Sequence, residues 1–278
     1  MGTHYTDLAT IHNWHDVVVD RSVEIRVYAE LNDFLPPDRR FATFRQPLGV
    51  RQTVKDLIEG SGIPHTEVDA VIANGNSVGF DHRPENGDLI SVYPMFESVD
   101  IRPILRLRPE PLRNTRFVVD SNLGGLARNL RMLGFDAIFR NDFADDEVAR
   151  ISATEKRMLL TRDVNVLKRK EITHGYYVRT IVPVEQASEV VRRFDLTGSV
   201  HPFSRCLECN GLLEAVDAEQ VKYELAETPL REHSTFSRCR GCERIYWPGS
   251  HYEQMRVKLA EILQRAEAGG THQRDIRR

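Results

Sequence analysis

The sequence predicts an α+β domain followed by an α/β domain with a parallel sheet, the second closing in a cysteine-bound metal module. Three observations carry this. Residues 22–100 read as strands around one short helix. From Phe117 to Asp163 the chain alternates apolar strand, helix, strand, helix, strand, the rhythm of a parallel sheet with crossover helices. All four cysteines fall into two Cys-x-x-Cys pairs. The expected units are 22–100, a join at 101–116, an α/β core at 117–200, a metal module at 201–255, and a helix with a disordered tail at 256–278.

A chain of 278 residues holds about two domains with their own cores. Its formal net charge of −3 excludes a protein that coats nucleic acid over its whole surface, so any such footprint is a local patch. No apolar run is long enough to cross a bilayer, and the amino end lacks a secretory pattern. With no odd cysteine left over, a reducing, cytoplasmic location without membrane contact is expected. His4, His12 and His15 belong to a solvated leader.

In the first domain, Val23, Ile25 and Val27 alternate as a half-buried strand. Phe41 to Gln46 pairs with it after the Leu35-Pro36-Pro37-Asp38 turn. Val50 to Glu59 is a short amphipathic helix with Val54, Leu57 and Ile58 on one face. A strand at Val68–Ile72, the Asn74-Gly75-Asn76 turn, a strand at Val78 and another at Leu89–Tyr93 complete it. The join, Ile101 to Arg116, carries five arginines and one glutamate among its prolines. It reads either as an extended element offering phosphate contacts or as a solvated linker.

In the second domain, Phe117-Val118-Val119 ends on Asp120, and Leu126, Leu130 and Leu133 fall at helical spacing behind it. Asp136-Ala137-Ile138-Phe139 is the next strand, its aspartate capping the turn. Asp145-Asp146-Glu147 heads a helix leading to Met158-Leu159-Leu160-Thr161 and Arg162-Asp163. Ligands of such sheets bind beyond the carboxyl ends of the strands. Asp120, Asp163 and the acidic cluster at the head of that helix would converge there, a crowding of charge that Mg²⁺ or Mn²⁺ relieves. The competing reading makes each acid a helix cap or turn residue. Arg128 and Arg131, on the helix face away from the leucines, are candidates to meet a phosphate, the alternative being a solvated face; Arg162, Lys168 and Arg169 are the basic candidates beside Asp163. Glu185 to Phe194 is an amphipathic helix with its acids on the surface, and Glu253 to Gln264 is the last helix.

Cys206, Cys209, Cys239 and Cys242 offer four thiolates, which close a tetrahedral, structural Zn²⁺; a redox pair is the rival reading.

The run FVVDSNLGGLARNLRMLGFDAIF, then DDEV, RMLLTRD, SRCLECN and CRGCERIYWPGSH, resembles the PIN-like ribonuclease domain at the carboxy end of Mut-seven-type proteins, with its zinc ribbon. The resemblance spans about Phe117 to Met255. It implies an Mg/Mn-dependent ribonuclease, RNA as partner, and Asp120, Asp145 and Asp163 as the metal-binding acids, with Asp146 as the alternative to Asp145. Related PIN-like domains often place a further acid two residues after the last; here that residue is Asn165. Val23 to Leu31, ANGNSVGFD and NGDLISVYP resemble a ubiquitin-like β-grasp domain, in particular bacterial sulfur carriers of thiamine and molybdopterin synthesis. Those carriers end in a free diglycine, whereas this chain continues through Tyr93-Pro94-Met95. Docking to a protein or ribosome partner is therefore expected of this half. A non-catalytic RNA- or ribosome-binding adaptor is the alternative function.

Overall fold

The computed structural model describes residues 21–94 and 116–272. The leader, the arginine-bearing join up to residue 115 and the last six residues lie outside the described residues. The first sheet comprises β1 (Ser22–Val27), β2 (Thr43–Pro47), β3 (Val68–Ala73), β4 (Asn76–Val78) and β5 (Leu89–Pro94). Their order is β2-β1-β5-β3-β4, with β1 parallel to β5 and the other pairs antiparallel. Helix α1 (Val54–Gly60) covers one face, and Val54, Leu57 and Ile58 join Val23, Ile25 and Val27 in a single core. The helix begins four residues later than periodicity predicts. Thr53 and Asp56 form a reciprocal capping box, which fixes the start.

The second domain runs β6 (Phe117–Val119), α2 (Gly124–Met132), β7 (Ala137–Ile138), α3 (Asp145–Glu155), β8 (Met158–Thr161), α4 (Val164–Leu167), β9 (Gly175–Tyr177) and α5 (Pro183–Arg193). Its sheet has the order β7-β6-β8-β9, every pair parallel. Side chains alternate between two layers. Phe117 and Val119 pack with α2 and α5, while Val118 and Leu159 pack with α3 and α4. Burial on both faces is why β6 and β8 read as unbroken apolar runs.

Then come β10 (Leu213–Val216), α6 (Ala218–Val221), α7 (Glu227–Glu232), β11 (Phe236–Cys239) and β12 (Ile245–Tyr246), the three strands forming one antiparallel sheet. Helix α8 (Ser250–His272) returns along α5. It runs past the expected end at Gln264, and Ile262 and Ala266 on its inner side are buried in the core.

The cysteine-bearing module attaches where β7 begins, at the amino edge of the parallel sheet. Gly134 makes this approach possible. It has φ +96°, and a Cβ there would stand 2.2 Å from the His201 carbonyl oxygen. Arg131 is buried and donates to the carbonyls of Ala137 (2.9 Å), Leu207 (3.0 Å) and Glu208 (2.7 Å). The expectation that Arg131 meets a phosphate is therefore corrected: its guanidinium completes the backbone of the join.

Asp136, expected as a turn cap, is instead the hub of this join. It accepts from Arg157 at 2.8 Å and from Asn210 at 2.7 Å, with Arg205 at 3.8 Å. Burial pushes the Asp136 carboxyl up, but the bonds from Arg157 and Asn210 outweigh it and hold the carboxyl below its usual range. A carboxyl depressed in the folded state adds stability that is full above its unfolded value of about 4 and is lost as pH falls through the folded value. Asp136→Asn should therefore cost about 3 kcal/mol near neutral pH and flatten the acid limb of the stability curve, measured by denaturant titration at several pH values.

Candidate active site and metal centre

Strands β6 and β8 are neighbours and parallel, so the residues that follow them share the carboxyl edge of the sheet. Asp120 extends the ladder, its amide donating to Leu160 O at 3.0 Å, and its side chain is buried. The fully buried Thr161 lies across from it. Its hydroxyl donates to Asp120 Oδ2 at 2.6 Å and accepts from the Asp163 amide at 2.9 Å. One hydroxyl thus ties the two aspartates together. Ser121 donates to the other Asp120 oxygen at 3.2 Å. Asp163 is exposed and caps α4 by accepting from the Asn165 amide at 2.7 Å.

Asp145 and Asp146 open α3, which starts at this same edge after β7. The arginines around this turn sort its acids. Asp142 and Glu147 pair with Arg140, and Asp146 with Arg169. The exposed Asp145 has no ion pair or hydrogen bond through its carboxylate among the described residues. The three acids share an edge but are not drawn to the spacing of one ion's ligands. Among the described residues, only the four cysteines form a set of three or more metal-binding side chains whose ligand atoms lie within 4.8 Å of one another.

That cysteine set fits a tetrahedral ion. Cys206 and Cys242 sulfurs are 3.6 Å apart and those of Cys209 and Cys239 3.3 Å, close to the roughly 3.8 Å edge of a Zn–S₄ tetrahedron. The amides of Gly211 and Gly241 donate to Cys209 and Cys239 sulfur at 3.4 and 3.3 Å. A Cβ at Gly211 would come within 2.8 Å of Cys239 sulfur, so only glycine permits this knuckle. Tyr246 Oη lies 3.1 Å from Cys206 sulfur. Burial raises the Cys206 thiol, but the amides of Cys209 and Glu208 and the Tyr246 hydroxyl bring it down to about 6. Cys209 is pushed up to about 12, first by burial and then by neighbouring thiols. Crowded thiolates repel, and a bound Zn²⁺ would relieve that conflict.

A family profile described as the Mut7-C RNAse domain matches residues 115–259. The chain belongs to this family. A second profile, Mut7-C ubiquitin, matches residues 20–100. The Mut7-C chain is thus a ubiquitin-like domain followed by a ribonuclease-type domain with a cysteine cluster compatible with a zinc ribbon. Among solved structures it is similar to two crystal structures of small archaeal modifier protein 1 from Haloferax volcanii. Each is 19% identical and covered over 99% of its length; they span 27% and 28% of this chain, with a TM-score of 0.22. No curated protein matches the chain. Among the described residues, no helix of the Mut7-C chain is long and apolar enough to cross a membrane.

The basic candidates in the Mut7-C domain all have partners within the chain. Arg128 is exposed and pairs with Glu208 at 2.9 Å. Arg162 donates to the carbonyls of Val178, Arg179 and Thr180 at 2.6–2.8 Å, bracing the loop after β9 against the acidic edge. Lys168 donates to Glu59 O in the ubiquitin-like domain at 2.8 Å. Arg169 holds Asp146 and Glu171. Thr161 was legible in the sequence only as the end of an apolar strand; a polar residue closing such a run, two before an aspartate, is the signal that marks it.

Proposed function

We propose that the chain is a ribonuclease that hydrolyses RNA phosphodiester bonds at the carboxyl edge of its parallel sheet, and that it requires Mg²⁺ or Mn²⁺. The observation that carries the reading is Asp120 and Asp163 joined through Thr161 in a domain of an RNAse family. Asp145 is the third acid we assign, because Asp146 is committed to Arg169. A divalent ion supplies charge neutralisation at the phosphate and an acidified water. As they stand the three carboxylates do not fit one ion. Thr161 aims Asp120, and the exposed Asp145 and Asp163 lie on the same edge, Asp163 through the cap of α4. Purified protein should cleave single-stranded or structured RNA with Mn²⁺. Asp145→Asn should stop that cleavage and Asp146→Asn leave it; the reverse order would overturn the assignment.

The wide spacing of the acids favours one second reading, a non-catalytic adaptor that binds RNA or the ribosome through its ubiquitin-like half. RNA binding indifferent to Mn²⁺ and to Asp163→Asn, with no cleavage, would establish it.

A further inference from the structure

The two domains meet along β9, and the charges across that contact are sorted by sign. The ubiquitin-like half contributes carboxylates. Glu67 is fully buried, accepts from the Tyr177 amide and has its second oxygen 3.5 Å from Arg179. Asp33 accepts from Arg179 Nε at 2.9 Å, and Glu30 meets Arg193 at 2.6 Å. The ribonuclease half contributes cations: Arg179, Arg193 and Lys168, the last donating to Glu59 O. The Arg179 guanidinium lies over the rings of Phe34 and Tyr176, at 5.5 and 5.3 Å.

This cationic face adjoins the acidic edge. Arg162 sits between Thr161 and Asp163 in sequence, and its guanidinium holds the carbonyls of Val178, Arg179 and Thr180. An edge bearing several carboxylates repels a polyanion, so an RNA strand needs cations beside it to approach. Guanidinium groups bind carboxylate and phosphate with the same forked geometry, so one can stand in for the other. The contact also holds a cost that a purely structural interface has no need of. Burial pushes the Glu67 carboxyl up, with Arg179 and the Tyr177 amide opposing. At its rim, by contrast, Asp33 remains about half exposed and can exchange with another anion.

We infer that Lys168, Arg179 and Arg193 form the surface that receives the RNA backbone, and that Glu30, Asp33 and Glu67 of the ubiquitin-like domain occupy it in place of phosphates. The contact is autoinhibitory, and the strand and the ubiquitin-like domain compete for one face. The inference rests on the ribonuclease reading for the identity of the anion.

The test uses the full chain and a fluorescein-labelled single-stranded RNA, with anisotropy read without added divalent ion. Glu30→Gln with Asp33→Asn should bind roughly tenfold tighter at low salt, and its log–log salt slope should steepen by about 1 per cation freed. Glu24→Gln with Glu85→Gln makes the same charge change on exposed positions with no ion pair among the described residues, and should leave affinity unchanged. Adding Arg179→Gln to the first pair should cancel the gain. If the double variant misfolds by circular dichroism, Asp33→Asn alone should still show a smaller gain. Unchanged affinity, an equal gain in the control, or a gain that survives Arg179→Gln would overturn the inference. Cleavage with Mn²⁺ is followed in parallel. Tighter binding without cleavage would sink the ribonuclease and leave the competition standing; cleavage by wild type without a binding gain would do the opposite.

Discussion

Asp120→Asn should leave the fold intact and reduce RNA cleavage at least about 10²-fold, since it removes charge where the reaction needs it. Asparagine is isosteric with aspartate, and its carbonyl can still accept the Thr161 hydroxyl that now bonds Asp120 at 2.6 Å. The melting temperature should therefore move little, because one neutral hydrogen bond replaces one charge-assisted bond, a difference of about 1 kcal/mol. Separation of activity from stability is the informative part. A variant that melts early and cleaves poorly would say only that a buried strand end had been damaged. Thr161→Val makes the complementary case. It should lower activity too, by releasing both Asp120 and the Asp163 amide, but it leaves the carboxylate charge in place.

Removal of zinc should have the largest effect on stability. Cys239 is fully buried in the cluster, and Cys239→Ala leaves three thiols where a Zn²⁺ would need four ligands. Structural zinc sites in small modules bind with about 10–16 kcal/mol, and that energy is folding energy. The three-stranded ribbon sheet should therefore unfold in the variant or under chelation. The damage should spread to the amino edge of the parallel sheet, where Arg131 and Asp136 grip Leu207, Glu208 and Asn210. Zinc content near one ion per chain in the wild type, with a chelator-induced loss of near-ultraviolet circular dichroism, is the expected result. Unaltered melting in Cys239→Ala would mean that the ribbon is held by packing alone. The same physics complicates nuclease assays: a chelator that stops cleavage by unfolding the ribbon says nothing of Mg²⁺ or Mn²⁺.

The parts of the fold legible in the sequence are those whose burial is periodic. Val23, Ile25 and Val27 alternate because one sheet face is covered, and the buried runs at Phe117–Val119 and Met158–Thr161 are continuous because both faces are. Strand β9, Gly175-Tyr176-Tyr177, lacks the aliphatic run that marks the equally short β6. Charged residues were legible only by type, since a side chain's partner lies elsewhere in the chain. Glu189, counted among surface acids, is buried and accepts from the Tyr176 hydroxyl and from the amides of Arg179 and Thr180. The partners of Arg131 and Asp136 likewise lie far along the chain, at Leu207, Glu208 and Asn210. Two strand-end aspartates and an acidic helix start marked the edge of the candidate site, but spacing along a chain does not encode how closely carboxylates approach. What divides Asp145 from Asp146 is the ion pair of Asp146 with Arg169, a residue 23 positions on that no local pattern connects to it.

The most direct test of the acidic site is Mn²⁺ binding to the zinc-loaded chain, followed by the electron paramagnetic resonance signal of the free ion. Wild type should remove Mn²⁺ from solution and Asp163→Asn should not, because the proposed site needs the Asp163 carboxylate as one of its ligands. Equal binding by both proteins, or none by wild type while cleavage continues, would contradict a metal-dependent site at this edge.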